Sequence, residues 1–444
     1  MTMMTEAEAK KILDKVLSFS KADECTVQLN GGREGNIRFA RNTVSTSGVV
    51  DDVQLAVSVA FGTRSAAVTT NDLSDAALMS AVKRAEELAK LAPENPEFMP
   101  AIEKQTYKAS DKFAQSTADI TPAVRAQAAA DSLEPCRKKG LIAAGFLQDN
   151  VGFVAHANSK GVFGYQRQSG VDFTCTVRTE DGRGSGWVSK NVDDVKRMST
   201  AKSSEIAIRK AEGSVDAKAL EPGRYTVILE PSAAAGIINM MLGGFDARNA
   251  DEGRSFMSKK GGGTRLGEKF FDERINIVTD PWHPDVPVLP WDGQGMAREK
   301  MDIVKNGVVN YLQYSRYWAK LKEQKAKAQP GNMIMAGGTK TLDEMIKSTK
   351  KGILMTRSWY IRMVDPQSVL VTGLTRDGTF YIEDGKIMYP VKNFRFNESP
   401  ITMLNNVEEL GITERIAGDE ANIIMMIPPM KIRDFNFTSL SDAV

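Results

Sequence analysis

A strand–turn–strand–helix pattern occurs twice in the first half of the chain, with matched landmarks about 120 residues apart. The first copy runs Phe39-Ala40-Arg41-Asn42, then Val53-Gln54-Leu55-Ala56-Val57-Ser58-Val59, then a glycine turn at Gly62-Thr63-Arg64. A strand, Asn71 and a helix follow. The second runs Val154-Ala155-His156-Ala157-Asn158, then Val171-Asp172-Phe173-Thr174-Cys175-Thr176-Val177, then a turn at Gly182-Arg183. Again a strand, Asn191 and a helix follow. Apolar and polar residues alternate with period two, as in strands that bury one face. The pattern therefore points to a duplicated α/β unit. Chance alignment of two mixed segments is the alternative, and the sequence leaves it open.

The elements around these landmarks follow from periodicity and punctuation. Thr5 to Ser20 reads as a helix with Ile12, Leu13, Val16 and Leu17 on one face. Separate strands are expected over Cys25 to Leu29 and Asn36 to Phe39, and over Val53 to Val59 and Ser65 to Thr69. A helix from Leu73 to Leu91 is expected to be capped by Asn71 or Asp72 and ended by the prolines at 93 and 96. The second unit opens with a helix over Pro122 to Lys139. Strands follow at Ile142 to Leu147, Val151 to Ala157, Gly161 to Gln168, Val171 to Arg178 and Ser185 to Ser189, then a helix over Val192 to Ala211. This gives an α+β chain divided into an N-terminal domain (1–100), a linker (101–120), a middle domain (121–220) and a β-rich C-terminal domain (221–444), barrel- or sandwich-like.

In the last domain, Tyr225 to Leu229 reads as a strand. Ser232 is the expected cap of a helix from Ala233 to Leu242, apolar on nearly all sides and so buried. Gly243 to Gly267 reads as a long, mobile loop. Short strands are expected at Ile275 to Thr279, Gly307 to Tyr311, Val369 to Leu374, Thr379 to Glu383, Lys386 to Met388 and Ala421 to Ile427.

Composition excludes several function classes. A net charge of +2 argues against a general nucleic-acid or anionic-membrane binder. Three cysteines, Cys25, Cys136 and Cys175, lack any CxxC spacing, which argues against a disulfide framework. With no signal-peptide pattern and no apolar run near the roughly 20 residues of a membrane span, a cytoplasmic chain is expected.

The two histidines, His156 and His283, have no glutamate or second histidine at helical metal-ligand spacing, so an HExxH-type site fails on count alone. A structural or surface role is expected for both. Gly261-Gly262-Gly263-Thr264-Arg265-Leu266-Gly267 lacks the Lys-Ser/Thr ending of a phosphate loop. The lysines at 320, 322, 325 and 327 read as a solvated helix face. The densest unusual segment is Thr356-Arg357-Ser358-Trp359-Tyr360-Ile361-Arg362, followed by Thr375-Arg376-Asp377-Gly378. In strand geometry Arg357, Trp359 and Ile361 share one face, and Ser358, Tyr360 and Arg362 the other. Arginine forks with aromatic walls suit a peptide's carboxylates and carbonyls, so Arg357, Trp359, Tyr360, Arg362, Arg376 and Asp377 are candidate peptide-binding residues. A buried Arg–Asp brace between two strands explains the same residues.

The run Gly352 to Arg357, with Val364-Asp365-Pro366, Thr372 to Phe380, Ile382 to Ile387 and Pro390-Val391-Lys392-Asn393, resembles the C-terminal domain of the TldD/PmbA family. Asn158-Ser159-Lys160-Gly161 resembles a turn of its middle region, and Arg41 to Gly62 its first domain. That family is a metallopeptidase group first described as modulators of DNA gyrase. Its TldD type carries HExxxH plus a distant cysteine as zinc ligands, and its TldE or PmbA type lacks them. The resemblance places the motif on Asn239-Met240-Met241-Leu242-Gly243-Gly244. Asn239 stands for the first histidine, Met240 for the glutamate and Gly244 for the second histidine. No cysteine lies near Ala417 to Ile423, and no histidine between 157 and 282. Asparagine and methionine are poor zinc ligands, and methionine is no general base.

The resemblance thus implies a TldE/PmbA-like, non-catalytic subunit that binds no cofactor. A TldD-like, HExxxH-bearing partner would supply zinc, and together they would cleave peptides or unfolded proteins. Two rivals remain: a self-sufficient hydrolase using a carboxylate pair among Asp365, Asp377 and Glu383, and a peptide-binding regulatory homodimer.

Overall fold

The computed structural model describes residues 3–416 and 423–441. The expected cysteine position near Ala417 therefore falls, but for Ile423, outside the described residues. The first half contains α1 (Glu6–Phe19), β1 (Glu24–Ala40), β2 (Thr43–Phe61), β3 (Arg64–Thr70), α2 (Asp75–Leu91), α3 (Gln115–Ala118), α4 (Pro122–Lys138), β4 (Leu141–Asn158), β5 (Phe163–Thr179), β6 (Ser185–Val192) and α5 (Thr200–Gly213). The six strands form one antiparallel sheet in the order β3-β2-β1-β4-β5-β6. The two units thus meet back to back: β1 pairs with β4 from Thr26↔Asn158 to Phe39↔Gly145. Each unit has a helix before its first strand and another after its third, which is the duplicated unit in three dimensions.

The central strands run longer than their sequence suggests. β1 is continuous where two strands were expected, and so is β4. Glycine usually interrupts a strand. Here Gly31, Gly32 and Gly152 permit close approach instead. A Cβ on Gly32 would sit 2.4 Å from the carbonyl oxygen of Val151, and one on Gly152 at 2.4 Å from that of Gly31. Beneath the same ribbon lies a buried ion pair. Arg125 of α4 donates to Asp149 of β4 through Nε at 2.5 Å and Nη2 at 3.0 Å, with both side chains out of solvent. Helix starts also differ. Ser74, not Asn71 or Asp72, caps α2, and α5 begins at Thr200 behind Ser199, because β6 continues to Val192. All four long helices cover one face of the sheet. α1 and α2 seal a core around Leu13, Val27, Leu55 and Leu78, while α4 and α5 seal one around Leu133, Phe173, Val177 and Ile208.

The second half contains β7 (Gly223–Leu229), α6 (Pro231–Asn239), α7 (Ala247–Asp251), β8 (Ile277–Thr279), β9 (Met301–Lys305), β10 (Val308–Val309), α8 (Arg316–Leu321), β11 (Asn332–Met335), α9 (Leu342–Lys347), β12 (Lys351–Met355), β13 (Ser358–Asp365), β14 (Leu370–Thr375), β15 (Thr379–Glu383), β16 (Lys386–Pro390), β17 (Phe394–Glu398), α10 (Pro400–Asn405), β18 (Val407–Leu410), β19 (Glu414–Ile416), β20 (Ile424–Ile427) and β21 (Met430–Leu440). They build a six-stranded sheet, β10-β9-β8-β11-β20-β19, and a nine-stranded one, β13-β14-β17-β21-β7-β12-β15-β16, with β18 on β21. The larger sheet curls into a half-barrel, so the fold class is α+β with a barrel-like C-terminal body.

α6 lies between the two sheets, touching β7 and β13 on one side and β19 and β20 on the other. Such a position requires a helix apolar all round, and its buried Ala233, Ala234, Ala235, Ile237 and Ile238 supply one. Its cap is Glu230, with Pro231 in the first turn, rather than Ser232, and it ends at Asn239 instead of Leu242. The expected mobile loop after it is a packed segment. It holds a 3-10 turn and α7, and it sends Phe256 and Met257 into the core at 3% and 0% exposure. Those two apolar residues anchor a stretch whose glycine content alone suggested looseness. No helix of the described residues is long and apolar enough to cross a membrane.

Candidate functional site

The position that the resemblance assigned to a zinc motif is where a continuous helix breaks. Asn239 ends α6, Met240 is its C-cap, and Gly244 lies in the 3-10 turn Leu242–Phe245. A Cβ at Gly244 would lie 2.3 Å from the Phe256 ring, so a histidine there would displace a core aromatic. The available donors are a carboxamide oxygen, a thioether and nothing. That set does not fit zinc, which takes imidazole, thiolate or carboxylate ligands. Among the described residues, no group of three or more His, Cys, Asp or Glu is placed to hold a metal.

β13 packs against α6, and Ser358 donates to the Ala233 carbonyl oxygen at 3.0 Å. β13 is also the outer strand of the larger sheet, so its far edge is unpaired among the described residues. The candidate peptide-binding residues gather here but divide into two sets. Arg357 and Asp377 are buried, and Arg357 Nη1 donates to Asp377 Oδ2 at 2.5 Å. Asp377 Oδ1 accepts from Ser185 of β6 at 2.5 Å, and the Arg357 guanidinium lies 4.0 Å from the Trp187 ring. The brace therefore joins the C-terminal body to the N-terminal sheet, a role no local pattern in the sequence signals. Asp377 sits at φ 54°, a turn conformation in which aspartate is well tolerated.

The second set faces outward. Trp359 carries two guanidinium groups, Arg357 at 4.7 Å and Arg376 at 4.9 Å from its ring centre. Tyr360 is 55% exposed, and the exposed Arg362 lies over its ring at 4.0 Å. The simple face alternation fails because the strand bulges between Trp359 and Arg362, with Tyr360 at φ 53°. The bulge buries Ile361 and turns Tyr360 out. This leaves a strand edge with two aromatic–arginine stacks, suited to an extended chain's backbone and its carboxylates.

The other chemistry considered does not assemble. Asp365 pairs with Leu370 at the start of β14, Asp377 follows the end of β14, and Glu383 ends β15 near the opposite side of the sheet. Asp365 caps its own turn, accepting from the Ser368 hydroxyl and then from the Gln367 backbone N–H, which hold its carboxyl below the usual range. His156 is 4% exposed and stacks on Trp291 at 4.7 Å, beside Tyr107. Burial pushes its pKa down to about 4, against the pull of Asp292, and its Nε2 has no hydrogen-bond partner. His156 lies between the core-facing Ala155 and Ala157, so it points to the opposite face, where the sheet meets the C-terminal body. All three cysteines are buried, and burial raises their thiols to about 11 or 12, which rules out a ready nucleophile.

Comparison with known proteins agrees with this architecture. Three family models match in succession: PmbA/TldA metallopeptidase domain 1 over residues 25–89, its central domain over 100–215 and its C-terminal domain over 222–439. The metalloprotease PmbA of Escherichia coli O157:H7 is 21% identical over 456 aligned positions, covering 97% of this chain and 98% of that protein. The PmbA homolog of Haemophilus influenzae is 24% identical over 375 positions, 80% of each chain. Two solved structures share the fold at a TM-score of 0.85. TldE from Thermococcus kodakarensis is 16% identical, with 97% of this chain and 99% of that one covered. A Thermotoga maritima protein described as a candidate modulator of a DNA gyrase is 14% identical, with 97% and 100% covered.

Proposed function

The chain belongs to the PmbA/TldD metallopeptidase family, and from that premise we propose that it is the subunit of a two-subunit peptidase that carries no zinc site of its own. The observation that carries this reading is the end of α6. The residues that the resemblance assigns to the motif, Asn239, Met240 and Gly244, lie there, and Phe256 fills the space a side chain at 244 would need. The fold shared with TldE from Thermococcus kodakarensis supports the same assignment. A TldD-like subunit bearing HExxxH is then the partner that holds the metal and the general base. This chain contributes binding: an extended peptide or unfolded segment adds to the outer edge of β13. There Tyr360, Arg362, Trp359 and Arg376 contact it, and the Arg357–Asp377 brace holds the strand in place.

Co-expression with the HExxxH-bearing relative from the same genome tests the pairing. The two chains are expected to co-purify, and peptide cleavage to require both. Failure to co-purify, together with cleavage by the partner that is indifferent to this chain, removes the proposal.

A further inference from the structure

The face of the N-terminal sheet that its helices leave bare is only partly filled by the C-terminal body. Period two turns Val27, Leu29, Leu55 and Val57 towards α1 and α2, so the residues between them point the other way. These are small or polar: Thr26 and Gln28 of β1, Ala56 and Ser58 of β2, Ser65 and Ala67 of β3. Thr26, Ser58 and Ala67 form one row across the three strands, and Gln28 and Ala56 stand side by side in the next. Close packing against a second layer needs side chains that reach it. These fall short and leave a cavity of about 630 Å³. The strands are its floor. His156 and Asn158 of β4, the chain around Phe98, and Ser315 to Tyr317 at the start of α8 are its walls. That volume suits a small organic ligand.

Charge narrows the ligand's chemistry. The charged side chains lining the cavity are Glu24, Glu97 and Arg316. Both carboxylates already have cations. Glu24 pairs with Lys160 at 3.2 Å and accepts from the Ala101 backbone N–H at 2.5 Å, while Glu97 pairs with Arg248 at 2.9 Å. Arg316 has no such partner. Its Nη2 donates to the Pro100 carbonyl oxygen at 2.6 Å, and among the described residues no carboxylate pairs with it. Burial pushes its pKa down against the pull of Glu24 and Asp292, as expected of a guanidinium short of both water and a counter-ion.

The cavity therefore carries one uncompensated positive charge. A guanidinium presents its donors as a planar fork that matches a carboxylate with two parallel hydrogen bonds. A phosphate dianion would bring a second negative charge into a space that Glu24 also lines, so a singly charged carboxylate is the better match. Thr26, Gln28, Ser58 and Gln294 offer donors and acceptors to amide groups on the rest of the ligand, and Ala56 and Ala67 offer apolar contact.

We propose that the cavity over β1, β2 and β3 is a binding site for a small amide-bearing monocarboxylate, whose charge pairs with Arg316. An acylated amino acid and the free C-terminal end of a short peptide share that chemistry. The site shares no residue with the β13 surface, goes beyond the peptidase reading and does not rest on it.

The full chain, purified alone, is titrated with N-acetylalanine, with trialanine, with the C-terminal amide of each, and with inorganic phosphate, and followed by calorimetry and ligand-observed NMR. Saturable binding of at least one free carboxylate is expected, with its amide weaker by roughly tenfold or more. Arg316→Gln is expected to lower the affinity by a similar factor. Ser58→Trp, which fills the cavity from an exposed floor position, is expected to abolish binding. Thermal unfolding of both variants should stay close to the parent. Binding of N-acetylalanine alone assigns the site to amino-acid derivatives, and binding of trialanine assigns it to peptide ends. No saturable binding of either carboxylate overturns the proposal. So does binding that amidation leaves unchanged, or that is indifferent to both variants. Phosphate bound more tightly than either carboxylate overturns the choice of ligand.

Discussion

Two of the contacts between the N-terminal sheet and the C-terminal body have opposite character. At one, His156 of β4 stacks on Trp291, Tyr107 donates to the Gly295 carbonyl oxygen at 2.5 Å, and the imidazole is kept neutral by burial. At the other, Ser185 and Trp187 of β6 hold the Asp377–Arg357 ion pair. At the neutral seam Gly164 and Gly295 pack directly on the imidazole, where a Cβ would come within 2.7 Å of it, while His156 also lines a cavity of about 630 Å³ with Asn158, Gly293 and Arg316. The charged seam opens directly onto Trp359, Tyr360 and the edge of β13. The charged joint therefore also fixes the geometry of the surface proposed to bind peptide.

Breaking the charged seam should have the larger effect. Asp377→Ala leaves a buried guanidinium without its carboxylate, and a loss of about 3–5 kcal/mol in unfolding free energy is expected. Adding Arg357→Met should recover part of it, because the uncompensated charge is then gone. Denaturant titration of the three variants checks both expectations. If Asp377→Ala costs no more than a surface substitution, the brace does not hold the domains.

The neutral seam should announce itself through pH. His156 has a folded pKa near 4 against an ordinary 6.5, so it is depressed. Above pH 6.5 neither state takes the proton, and the contribution is fully present. As pH falls from 6.5 towards 4, the unfolded chain binds a proton that the folded chain refuses, and stability drops by about 3 kcal/mol. His156→Gln should remove that slope whatever it does to stability at neutral pH. An unchanged slope in the variant would assign the pH dependence elsewhere.

The smallest stability effect belongs to the outward residues. Tyr360→Ala and Arg362→Ala should stay within about 0.5 kcal/mol of the parent, since both side chains are exposed. In the two-subunit complex they should instead raise KM for peptide, with kcat nearly unchanged. A change confined to kcat would place these residues outside the binding surface.

The sequence made the repeated unit, the apolar α6 and the aromatic–arginine segment legible, because each rests on local periodicity or composition. The long central strands were hidden by Gly31 and Gly32, which read as a break and instead let β1 approach β4. The positive φ at Tyr360 and the reach of Asp377 to Ser185 depend on contacts between distant segments, and no spacing rule encodes them. The aromatic surroundings of the buried His156 are likewise supplied by Trp291 and Tyr107, far away along the chain.

The central claim concerns the end of α6 and is tested most directly by metal content. Zinc is measured by mass spectrometry on this chain purified alone and on its complex with the HExxxH-bearing partner, each assayed for peptide cleavage in parallel. No stoichiometric zinc and no turnover are expected for the chain alone, with zinc and turnover appearing together in the complex. One zinc per chain in a homogeneous, active preparation of this protein alone would contradict the claim.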